Sequence, residues 1–213
     1  MKATEEMIAL LKGNHIQGDD LVLQVNQLLG CMDLNEQLGL HRVLSPQAIN
    51  RLHPVLDKMT IHPHLKEHLV WSYFYHRLSG LDSLSNELMQ AMLNEYSQNK
   101  FLAVESLFIN ALKSDIISLK QLEIIEKIFS SKAFIKESAA FKCREIVRAG
   151  NKLKPVEITM LIDIKAFKTL DYALDKNAVT DEGLKMFTEP LNSEQDKKSK
   201  LSLFRKAQNH LSQ

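Results

Sequence analysis

Helix-starting residues recur along this chain, each followed by apolar residues four and seven positions on. Nowhere do Val, Ile or Thr alternate with polar residues for long enough to make a strand. A chain so patterned must bury helical stripes against one another, which predicts an all-α fold. Only 7 glycines and 5 prolines punctuate it, so breaks between helices are short.

The first helix is expected from about Thr4 to Lys12, stopping at Gly13. The second opens at Asp19 and Asp20 and ends at Gly30. Asp33 and Glu36 have capping-box spacing and start a third, to about Val43. Ser45-Pro46 places a hydroxyl cap before a proline at the first helical position. Pro54 should kink or split that helix, because proline lacks the N–H of the helical ladder. Pro63 opens the next helix, ending near Gly80. Helices over about 83–97, 100–113, 118–130 and 132–149 follow, with Gly150 closing the last. Pro155 starts a segment broken near Lys165 and resumed to Leu174. A short helix follows Thr180, and Ser193 is read as the cap of a final helix to Leu211.

Five starters share a template of apolar positions. Ser45 is followed by Ile49, Leu52 and Leu56; Ser85 by Met89, Met92 and Tyr96; Ser118 by Leu122, Ile125 and Phe129. Lys154 has Ile158 and Leu161, and Thr180 has Leu184, Phe187 and Leu191. The starters lie roughly 26–40 residues apart, near the ~33–47 of stacked helical hairpins. On this spacing the chain resembles a divergent α-solenoid over about residues 45–190. It carries neither the tetratricopeptide signature nor the ankyrin Thr-Pro-Leu-His core. The resemblance implies a right-handed α-solenoid-like stack of antiparallel helix pairs and assigns no functional residue. The expected organisation is one helical domain, 1–213: an N-terminal helical cap over 1–43, a hairpin stack over 44–192 and a C-terminal capping helix over 193–213.

Two cysteines, Cys31 and Cys143, are too few for a disulfide framework and read as reduced thiols. With no secretory or transit pattern at the start, the expected location is cytoplasmic. No apolar run approaches a membrane span; the richest, Leu69 to Tyr75, is far too short. Net charge is +1, with residues 1–131 acidic on balance and 132–213 basic.

Lys142, Arg144, Arg148, Lys152 and Lys154 form the best candidate for a partner- or anion-binding strip, with Glu145 the one acidic residue among them. Clustered Arg and Lys can engage carboxylates or neutralise phosphates. Ile135, Ala139, Cys143, Ile146 and Val147 are expected to face the core, with Cys143 a small buried hydrophobe rather than a nucleophile. His64 and His68, one turn apart, are a weak metal pair that lacks a third ligand. Leu65 to Leu78 is apolar nearly all round, as a buried helix is. In the last helix Leu201, Phe204, Gln208 and Leu211 mark the expected inner side.

Neither a glycine-rich phosphate loop, GxSxG nor Cys-x-x-Cys is present, so no catalytic residue and no cofactor are assigned. These features point to a non-catalytic module that presents a helical surface to another protein. The alternative is a nucleic-acid-binding helical repeat using the strip from Lys142 to Lys154. A helical enzyme or metal protein is the weakest reading.

Overall fold

Thirteen α-helices and one 3-10 helix account for the regular structure in the computed structural model, which describes residues 2–99, 101–187 and 197–211. The helices are α1 Lys2–Lys12, α2 Gly18–Gly30, α3 Leu34–Val43, α4 Pro46–Leu52, α5 Pro63–Leu78, α6 Asn86–Asn99, α7 Leu102–Lys113, α8 Leu119–Ile125, α9 Lys132–Arg148, α10 Pro155–Asp163, α11 Phe167–Asp175, α12 Asp181–Lys185 and α13 Lys197–Leu211. Among the described residues there is no β-strand, only one isolated parallel bridge between Leu153 and Val179.

Local chemistry explains the starts. Asp33 accepts from the Glu36 N–H at 2.8 Å while Glu36 accepts from the Asp33 N–H, a complete capping box. The hydroxyls of Ser45, Ser85, Ser118, Ser131 and Thr180 each accept the N–H three residues on. Each such cap contributes about 1 kcal/mol. Pro54 ends α4 as expected, and the chain continues as a 3-10 helix over His53–Lys58. The expected 118–130 helix stops at Ile125. Ser131 must be extended to cap α9 (φ −64°, ψ 151°), so the chain leaves the helical conformation before it. Ser193 and Leu191 lie outside the described residues.

The chain divides into two compact units, Met1–Phe108 and Ile109–Gln213. In the first, α1 packs on α2 and α4, and α3 and α4 pack on α5. Met7, Leu11, Ile49, Leu65, Leu69, Phe74 and Met92 are among its most deeply buried side chains. Arg51 reaches from α4 to the end of α1 and donates to the carbonyls of Leu10, Leu11, Gly13 and Ile16. Those of Leu10 and Leu11 belong to the last turn of α1, whose carbonyls lack intrahelical partners, and those of Gly13 and Ile16 to the loop before α2.

In the second unit, α9 packs on α10 and α11, and α11 and α12 pack on α13. Leu153, Ile158, Leu161, Leu170, Ala173 and Leu184 form its centre. Four helices end alike. After α7, α9, α10 and α11, residues Asp115, Gly150, Lys165 and Asn177 turn to positive φ (57°, 79°, 56° and 50°). In each case the next N–H returns to a carbonyl of the last turn, as Ile116 does to Ala111 and Ala166 to Leu161. Only one of the four is the glycine that favours this conformation.

Of the side expected to face inward in the last helix, the side chains of Leu201, Phe204 and Leu211 lie outside the described residues. Leu203 and Ala207 are buried and Gln208 is exposed. Lys206 pairs with Asp171 and Asp175 of α11 at 2.7 and 2.5 Å.

Candidate functional site

Helix α9 organises the second unit because it is buried on two opposite faces. Phe134, Ser138 and Phe141 lie on one, and Ala140, Cys143 and Val147 on the other. At 100° per residue these sets sit roughly half a turn apart. Two flanks remain, and each opens on a concavity.

The first flank carries Ile135, Ala139, Lys142 and Ile146. With Phe129, Cys143 and Met160 they line an apolar groove of about 490 Å³. Ile135 is 54% exposed, which corrects its expected place in the core; Ala139 and Ile146 are half-buried. Their i, i+4, i+11 spacing centres on the open flank, while Cys143 and Val147 do face inward. Val156, 77% exposed on the first turn of α10, lies one turn before Met160 on that helix. At the rim, Lys142 pairs with Glu126 at 2.7 Å, and Ser138 donates to the same carboxylate. Burial pushes the Glu126 carboxyl up, but those two donors outweigh it and hold it below its ordinary value. Cys143 lines the groove as an unreactive thiol, since burial pushes it up to about 11.

The opposite flank presents Lys136, Glu137, Ala140 and Arg144. Lys113 from the end of α7 and Lys165 to Thr169 from the α10–α11 turn complete a second cavity of about 560 Å³. Arg144 is locked in place. Its Nε donates to Asp115 Oδ1, one terminal nitrogen to Thr169 Oγ1 and the other to the Leu112 carbonyl, all at 3.0 Å. Its guanidinium also lies 5.9 Å from the Phe141 ring centre.

The candidate strip is thereby divided. Arg148 donates to the other oxygen of Asp115 at 2.7 Å and to Glu145 at 2.5 Å. Arg148 and Lys152 line a third, smaller concavity of about 430 Å³ with Tyr172 and Lys176. Lys142 belongs to the apolar groove and Arg144 to the second cavity. Lys154 lines none of the three; its N–H donates to Glu157 at 2.8 Å.

In the first unit, His64 and His68 are both exposed but engaged separately. His68 stacks on His41 of α3 with ring centres 4.3 Å apart, and the His64 N–H donates to His62 Nδ1. Among the described residues no three His, Cys, Asp or Glu side chains are placed to hold a metal. Leu65, Leu69, Val70 and Phe74 are buried, whereas Tyr75 is exposed and stacks on Trp71. The Trp71 indole donates to Ser106. His53 is stacked on Tyr73 at 3.6 Å, and its Nε2 lies buried without a hydrogen bond, 3.6 Å from Glu95.

The sequence reading missed both flanks of α9. Ile135 and Ile146 showed a helical period, but which side of that period stays open depends on α10 and α11. Lys113, Lys136 and the Lys165–Lys168 pair are too far apart in sequence to read as one cluster. No helix among the described residues is long and apolar enough to cross a membrane. Comparison with protein-family models, curated proteins and solved structures gives no significant match.

Proposed function

We propose that the chain is a non-catalytic interaction module whose helical surface receives a partner protein, and that the apolar flank of α9 is the receiving surface. The observation that carries this is the groove of Ile135, Ala139, Ile146, Phe129 and Met160. Large aliphatic side chains held open to water gain by being covered, at about 25 cal/mol per Å². The groove offers mainly apolar contact, with the Lys142–Glu126 ion pair and the Glu157 carboxylate in its lining, and its thiol stays protonated at neutral pH. Within each unit the helices are arranged, on this reading, as an antiparallel solenoid-like stack. Supporting it, packed pairs such as α1–α2, α10–α11 and α12–α13 are neighbours in the chain.

Ile135→Glu together with Val156→Glu tests the reading. Both side chains are exposed, so the variant keeps its fold and its urea midpoint. Affinity capture with the unaltered chain, after RNase treatment, is expected to retain a protein partner that the variant loses. A partner retained equally by both removes the groove from the proposal. Retention that vanishes with RNase would instead favour nucleic-acid binding.

A further inference from the structure

We propose that the cavity on the opposite flank of α9 binds a small phosphate-bearing anion. Lys113, Lys136, Arg144, Lys165 and Lys168 line it, against a single carboxylate, Glu137. Since the whole chain carries only +1, this is a local concentration of charge. Two of the five are already paired, Lys113 with Glu137 at 3.9 Å and Arg144 with Asp115 at 3.0 Å. Lys136 and Lys168 have no ion pair among the described residues. A bound anion would supply the counter-charge that Lys136 and Lys168 lack.

The cationic residues come from four elements, the end of α7, the flank of α9, the α10–α11 turn and the first turn of α11. They therefore surround a compact volume instead of tracking along a surface. About 560 Å³ suits a metabolite-sized ligand. A phosphate monoester carries nearly two charges and three acceptor oxygens, so it meets more such donors at once than a singly charged carboxylate does. Arg144 supplies a fixed point: three of its five N–H donors are tied to Asp115, Thr169 and Leu112, and two remain. Phe167 gives the cavity an apolar wall for the organic part of the ligand. The apolar groove lies on the other flank, so the two proposals can fail independently.

Calorimetry of the full chain with inorganic pyrophosphate at low salt is the test. Saturable binding is expected, with a Kd below about 1 mM, weakening as NaCl is raised. Lys136→Ala with Lys168→Ala should weaken it at least about tenfold while leaving the circular dichroism and urea midpoint unchanged. Lys152→Ala with Lys176→Ala, in the smaller concavity, should bind as the unaltered chain does. No heat at millimolar pyrophosphate would overturn the assignment, as would equal affinity in the Lys136/Lys168 variant. Tighter binding of a short single-stranded RNA through the same two lysines would also overturn it, because the cavity would then serve a polymer.

Discussion

Asp115 divides its carboxylate between two arginines one turn apart, accepting from Arg144 with one oxygen at 3.0 Å and from Arg148 with the other at 2.7 Å. It does so from a left-handed backbone, φ 57°, that an L-residue adopts at a cost of about 1 kcal/mol. The turn that ends α7 thus aims a carboxylate at the last two turns of α9.

Asp115→Ala should therefore destabilise the second unit by about 2 kcal/mol, because Arg144 is left half-buried with fewer partners. Asp115→Gly loses the same contacts but relieves the backbone, and should be about 1 kcal/mol less damaging. Urea unfolding of both variants measures the difference. Equal losses would mean that the backbone conformation costs nothing.

Arg51 satisfies four carbonyls at the end of α1 and in the loop after it from a distant part of the chain. Arg51→Ala is expected to cost about 2–3 kcal/mol, since partly buried acceptors lose their donors. Arg51→Lys should recover less than half, because an ammonium cannot span the forked arrangement. Thermal melts of both variants decide this; full recovery by lysine would show that charge alone is needed.

His53 makes stability depend on acid. Burial holds its imidazole down at about 4 from an ordinary 6.5; nearby Asp57 pulls up and Arg77 pushes further down. The unfolded chain takes this proton first, so stability falls as pH drops through 6.5 and levels off below about 4. The loss between pH 7 and pH 5 should be about 1–2 kcal/mol. Glu95 works the other way. Burial raises its carboxyl, so the native state gains from protonating it and part of the loss is offset. His53→Phe keeps a ring against Tyr73 and removes the proton site, and its stability curve should be flatter over this range. An unchanged slope would place the acid sensitivity elsewhere.

The two thiols should differ by orders of magnitude in alkylation rate. Cys31 is exposed, whereas Cys143 is buried with its thiol pushed up to about 11. Native protein at neutral pH should yield one modified cysteine by mass spectrometry, and urea-unfolded protein two.

Much of the helical framework is readable from residues near one another in sequence. Asp33 with Glu36, Ser118 with Gln121 and Thr180 act locally, so their hydrogen bonds follow from spacing alone. The apolar template holds too: Ile49, Met89, Leu122, Ile158 and Leu184 are all buried four residues after their starters. What escapes such reading depends on elements far apart. Ile135 looked inward until α10 and α11 were in place. Arg148 looked like a free cation, but its partner Asp115 lies on a different helix end. Lys136 and Lys168 share a cavity only because the α10–α11 turn comes back to α9.

The bridge between Leu153 and Val179 works as a clasp. The Leu153 N–H bonds the Ala178 carbonyl at 2.8 Å, and the Thr180 N–H bonds the Leu153 carbonyl at 3.0 Å. The segment holding α10 and α11 is thereby tied at both mouths into a closed cassette, and it cannot peel away from one end. Its opening must be concerted, so the amide protons of Leu153 and Thr180 should exchange with solvent at one shared free energy, well above that of the α1 terminus.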